Sequence, residues 1–97
     1  MNMQKLMQQA QAMQKEINTI QKEIENTDFT SEKELVKVVV GGNKRVKSVE
    51  FKGDISSDDL EVLQDMILVC FNDCIDQIDT VTEQKLGKYS NMMNGLF

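Results

Sequence analysis

The chain has no histidine, no proline and no tryptophan, and only two cysteines among its 97 residues. Each absence excludes something. Without histidine the commonest general base and the commonest metal ligand are missing together, so an enzyme is the least favoured class. Two cysteines build no disulfide framework, and with no third cysteine they cannot complete a four-ligand zinc site. The spacing of Cys70 and Cys74 puts them on one helix face, where free cysteine behaves as a small buried hydrophobe. The longest uninterrupted apolar run, Met66 to Phe71, is far short of a membrane span. The glutamine-rich N-terminus lacks the apolar run of a signal peptide. A soluble, cytoplasmic protein is expected, with no membrane partner, no small-molecule substrate, no metal and no cofactor. Gly41-Gly42 follows a candidate strand, but no helix opens after it, which excludes a phosphate-binding loop.

What is present fits one domain over residues 1–97, with 87–97 a short flexible tail after Gly87. A chain this short buries only roughly 65% of the surface its unfolded form exposes, so its own core should be thin. The net charge of −5 averages over unlike blocks. Residues 33–52 are net +4, whereas residues 53–84 hold nine acidic side chains and no basic one. Such asymmetry concerns partners and solubility and leaves the fold open.

The chain is organised around Leu35 to Cys74. Leu35 to Val40 is dense in β-branched residues, Gly41-Gly42-Asn43 interrupts it, and Arg45 to Lys52 resumes an alternating pattern. Val36, Val38 and Val40 share one face of the first of these strands, and Val49 and Phe51 one face of the second, giving one side of a half-buried sheet. Gly41 to Lys44 should supply the positive-φ positions of the turn, with Lys44 and Arg45 at its tip. Basic residues on edge strands also guard against aggregation, so that tip is a weak functional signal. Phe29 to Glu32 reads as a further short strand.

Helices flank the sheet. Met3, Leu6, Ala10, Met13, Ile17, Ile20 and Ile24 alternate in steps of three and four, the seam of a heptad helix. Such a helix is about 35 Å long, more than a small sheet needs, and part of it should project. Lys15 and Lys22 lie opposite the seam with Glu16 and Glu23 beside them, a solvated face first and a phosphate-contacting one second. Ser56-Ser57-Asp58-Asp59 starts a second helix, capped by Ser57 or Asp58. Leu60, Leu63, Ile67, Cys70, Phe71, Cys74, Ile75, Ile78 and Val81 form its apolar stripe, running toward Leu86. Val62, Met66 and Val69 lie almost opposite. A helix apolar on two sides in so small a chain calls for a second partner, and another copy is the simplest. The expected architecture is therefore α+β, in the order α-β-β-β-α with a three-stranded antiparallel sheet, and dimeric.

That order, together with Leu35-Val36-Lys37-Val38, Gly42, Val49-Glu50, Asp58-Asp59 and Phe71-Asn72-Asp73, resembles the YbaB/EbfC family of bacterial nucleoid-associated proteins. Leu6 to Gln11 and Met13-Gln14 are similar to that family's opening helix, and the likeness spans roughly residues 3–85. The resemblance implies a cytoplasmic, nucleoid-associated homodimer whose helical arms grip duplex DNA with little sequence preference, with a part in nucleoid organisation and gene expression. The arm residues it points to here are Lys5, Lys15, Lys22, Lys85 and Lys88, with Lys44 and Arg45 as the competing site. Two other classes remain open: a protein-binding adaptor using the acidic face of the second helix, and a small coiled-coil chaperone subunit similar to prefoldin.

Overall fold

The computed structural model describes residues 2–90. Helix α1 spans Met3–Glu25, strands β1, β2 and β3 span Asp28–Glu32, Val36–Gly41 and Val46–Phe51, and helix α2 spans Leu60–Leu86. Helix α1 is rich in Gln, Lys, Glu, Met and Ala, whose side chains lose little freedom in a helix. Asn2 caps its start by accepting the Gln4 N–H at 3.0 Å. At its end the Thr27 hydroxyl donates to the Glu23 carbonyl at 2.7 Å.

The sheet is antiparallel in the order β1-β2-β3. Val36, Val38 and Val40 of β2 are fully buried, and with Phe29 they pack beneath Cys70, Cys74 and Ile78 of α2. Val49 and Phe51 stand opposite Val38 and Val36, on the same face as the sequence suggests. They are not buried, however, being 42% and 57% exposed, because α2 runs over β1 and β2 and leaves β3 bare. Val40 pairs with Val46 while Val39 pairs with Ser48, so Lys47 is an extra, bulged residue. The bulge brings Val46 onto the apolar face although it lies an odd number of residues before Val49.

The turn lies at Gly41 to Lys44 as the sequence suggests, with one positive-φ position rather than several. Neither Gly41 nor Gly42 has positive φ; Lys44 does, at 66°. Lys44 N–H donates to the Gly41 carbonyl and Gly41 N–H to the Arg45 carbonyl, each at 2.8 Å. This is a three-residue loop whose last member takes the left-handed conformation usually given to glycine. The Asn43 side chain accepts the Arg45 N–H at 3.1 Å and holds the loop. Gly42 serves another purpose: its N–H donates to the Thr27 carbonyl at 2.8 Å, and a Cβ there would stand 1.7 Å from the Ile24 carbonyl oxygen. The tip of the hairpin is pressed against the end of α1.

The α2 cap also moves. Neither Ser57 nor Asp58 caps it: a 3-10 turn, Ser57–Asp59, leads into α2 with Asp59 at the N-cap position, and Ser56 opens that turn, its N–H and hydroxyl donating to the Asp59 carboxylate at 3.0 and 3.1 Å. Leu60, assigned by spacing to the buried stripe, is 56% exposed and lies outside both core clusters. At the other end α2 stops at Leu86 with Gly87 as its C-cap, where the sequence places the end. Gly87–Tyr89 form a 3-10 turn and Tyr89 is buried. The rest of the expected tail, 91–97, lies outside the described residues.

A second, smaller cluster joins the helices: Ile17 and Ile24 of α1 with Leu86 and Tyr89, flanked by Ile20 and Val81. Lys88 faces Glu16 at one end while Ile24 lies near Ile78 at the other, so the two helices run antiparallel. No residue of α1 before Ile17 is buried, and Met3, Leu6 and Met13 are exposed. Half of the seam is therefore bare. The result is elongated, 70 Å by 19 Å by 16 Å, with a radius of gyration of 19.1 Å where a compact chain of this length has about 13 Å.

Candidate nucleic-acid interface

A protein that holds duplex DNA needs cations free to meet phosphates, placed on a surface that acids do not neutralise. The hairpin fails this test in large part. Lys44 pairs with Asp79 at 3.2 Å, Lys47 with Asp28 at 2.6 Å and Lys52 with Glu32 at 3.6 Å. Each pair is half exposed and contributes little to stability, but each spends a positive charge on a neighbour. Arg45 is exposed and has no ion pair among the described residues.

Helix α1 is different. Lys5, Lys15 and Lys22 are exposed and unpaired among the described residues, as is Lys85 near the end of α2. Lys88 meets Glu16 at 4.0 Å and lies over the Tyr89 ring at 5.0 Å. Gln11, Gln14, Lys15, Asn18, Thr19 and Lys22 line one shallow groove of about 480 Å³ along α1, with no acidic residue among them. Glu16 and Glu23, which the sequence puts beside the lysines, do not line it. Helical spacing makes such a stripe findable in the sequence, yet only the lysines stand out there, and the amides Gln11, Gln14 and Asn18 beside them carry no charge to mark them. Lys5 is exposed on the projecting half and lies outside the stripe.

The residues assigned to a partner face separate. Val62 and Val69 are 46% and 50% exposed, whereas Met66 is half-buried and packs against the core between α2 and the sheet. The sequence reading missed Leu68, 61% exposed, which with Val38, Val46, Val49, Ile67 and Phe71 lines an apolar groove of about 370 Å³. Leu68 follows Ile67 directly, and an unbroken apolar run gives no periodicity by which to orient it.

The remaining reactive groups are buried. Cys70 and Cys74 are fully enclosed, and the Cys74 thiol lies 3.5 Å and 3.6 Å from the carbonyls of Phe29 and Val38, to which it donates. Burial raises the Cys74 pKa from its ordinary 9.0, the Asp73 carboxylate and Cys70 add to the rise, and backbone groups of Val40 and Ser31 oppose it. Such a thiol is neutral and inert at neutral pH. Cys70→Ala with Cys74→Ala should therefore keep the fold and DNA binding while costing about 1 to 2 kcal/mol together in a denaturant titration. Loss of binding with the fold intact would give the thiols a functional role.

No group of three or more potential metal ligands occurs among the described residues, and no helix there is long and apolar enough to cross a membrane. The family model for the YbaB/EbfC DNA-binding family matches residues 1–93. A nucleoid-associated protein of Lactococcus lactis subsp. lactis is 47% identical over 93 residues, covering 93% of this chain and 94% of that protein. One from Streptococcus suis is 38% identical over 96 residues, covering 96% and 97%, and one from Streptococcus agalactiae is 36% identical over the same span. With α1, the three antiparallel strands and α2 in the expected order, and this match over nearly its whole length, the chain belongs to the YbaB/EbfC DNA-binding family.

Proposed function

We propose that the protein is a cytoplasmic, nucleoid-associated homodimer that holds duplex DNA mainly through its α1 arms. The observation that carries this is the acid-free stripe of α1 with Lys15 and Lys22 unpaired, on a helix that projects beyond its core. Lys5, Lys85 and Lys88 add charge to the same arm. Phosphate contacts fix position without reading sequence, so most of the affinity is common to all duplexes. A second copy supplies a second arm. The surface that receives it is the apolar groove left open between β3 and α2, where Val46, Val49 and Leu68 are exposed, extended round α2 by the exposed Val62 and Val69; monomers rarely leave apolar patches of that kind uncovered.

Gel-shift titration on random-sequence duplex at several salt concentrations tests the arm. Two copies of five lysines offer at most about ten contacts, and with around half engaged at once the log-log salt slope should be roughly −3 to −5. Lys15→Glu with Lys22→Glu should lower affinity on every duplex by a similar factor, on the order of tenfold or more. Lys44→Glu with Arg45→Glu should do less, since Lys44 already serves Asp79. If the hairpin change abolishes binding and the arm change does not, the hairpin is the DNA-facing surface.

A further inference from the structure

Beside the lysines of the α1 stripe stand three amides, Gln11, Gln14 and Asn18, which phosphate binding alone does not require. Gln14 Nε2 donates to Asn18 Oδ1 at 3.1 Å. That bond uses one donor of Gln14 and one acceptor position of Asn18. Left without a partner among the described residues are the acceptor Gln14 Oε1 and an N–H of Asn18 Nδ2. Exchanging O and N in both amides would only swap which residue carries the donor and which the acceptor. The pair therefore presents one of each, held side by side before any ligand arrives.

We infer that the Gln14–Asn18 pair reads an adenine edge in the DNA major groove, giving the α1 arm a preference for A·T over G·C pairs. The inference rests on the reading that α1 lies on duplex DNA. An α-helix with its side chains is about 10–12 Å across and the major groove about 12 Å wide, so the open face of α1, opposite the side that Leu86 and Tyr89 cover, can enter it. Adenine offers there an acceptor at N7 beside a donor at N6. Asn18 Nδ2–H meets N7 and Gln14 Oε1 receives the N6 proton. Guanine offers two acceptors, N7 and O6, and would set O6 against Gln14 Oε1. Gln11 extends the amide row by almost one turn, and the Thr19 hydroxyl, donated back to the Lys15 carbonyl at 2.9 Å, leaves its methyl group outward. Lys15 and Lys22 border the row and would hold the flanking phosphates.

Fluorescence anisotropy with the full chain on matched A·T-rich and G·C-rich duplexes tests this. The unaltered protein should bind the A·T-rich duplex at least about fivefold more tightly, and the same duplex carrying 7-deaza-adenine, which lacks the N7 acceptor, should lose that advantage. Gln14→Ala with Asn18→Ala should bring the ratio of the two affinities toward one while the salt slope, set by the lysines, keeps its value. Both positions are on the surface, and circular dichroism of the double variant should match the unaltered chain. A preference that survives in the double variant, or on the 7-deaza duplex, would overturn base reading by this pair. Equal loss on both duplexes would assign the amides to the backbone instead. Failure of the unaltered protein to bind any duplex at low salt would take down the DNA reading beneath it.

Discussion

If the chain forms the proposed homodimer, a variant carrying Leu68→Lys and Val69→Lys is expected to sediment as a folded monomer at concentrations where the unaltered chain sediments as two copies. Both side chains are at least half exposed, at 61% and 50%, so the isolated subunit should lose only a few tenths of a kcal/mol. In a dimer closed over the β3 groove and the adjoining outer side of α2, both copies of each would be buried against apolar partners. Burying one such side chain is worth about 1.5 to 3 kcal/mol, and four of them per dimer should raise the dissociation constant by on the order of 10⁴-fold. Met66 is the wrong place for this test, because it packs into the core and a lysine there would unfold the subunit as well. Velocity sedimentation together with circular dichroism separates the outcomes. A folded dimer that persists in the double variant would place the partner surface elsewhere.

Gly42→Ala should be the most damaging single methyl group in the chain. The added Cβ would meet the carbonyl oxygen of Ile24 at 1.7 Å and its carbon at 2.5 Å. These are backbone atoms of the α1 end, which no rotamer change can move aside. The hairpin must retreat, and the 2.8 Å hydrogen bond from Gly42 N–H to Thr27 goes with it. A cost of about 3 kcal/mol, the upper end of overpacking, corresponds to a melting temperature lowered by more than about 12 °C. Gly41→Ala is the contrasting case. Its Cβ would meet the Asn43 side-chain oxygen at 2.8 Å, and that side chain can turn away at the loss of one loop hydrogen bond. Melting both variants at one protein concentration keeps dimerisation from distorting the comparison. A Gly42→Ala chain as stable as Gly41→Ala would show that the hairpin and α1 are not locked together.

Several features were legible because they are local. The heptad spacing of α1, the β-branched run of β2 and the acidic start of α2 each set backbone preference and buried face within a few residues. The stripe from Leu63 to Ile78 found its place because helical period alone turns it toward the sheet. The errors are of another kind. Val49 and Phe51 were put on the correct face, but whether that face is covered depends on where α2 crosses, and α2 crosses β1 and β2. Gly42 does sit in the hairpin turn, where the sequence places it, but its lack of a side chain answers to a carbonyl from α1, eighteen positions earlier.

The sequence by itself determined the element order, the long first helix, the burial of Cys70 and Cys74 in a helix face and the division of charge along the chain. Each of these follows from period, propensity or count, which neighbours in sequence carry. Only the tertiary structure decided which charges are free. Lys44, Lys47 and Lys52 look like the most basic surface in the chain, yet Asp79, Asp28 and Glu32 reach them from other elements. The lysines of α1 have no element folded over them: Lys5 stands on the half that runs past the core, and Lys15 and Lys22 lie on the face opposite the buried Ile17 and Ile24. Availability of charge depends on what packs nearby, and packing is set by contacts between residues far apart in the chain.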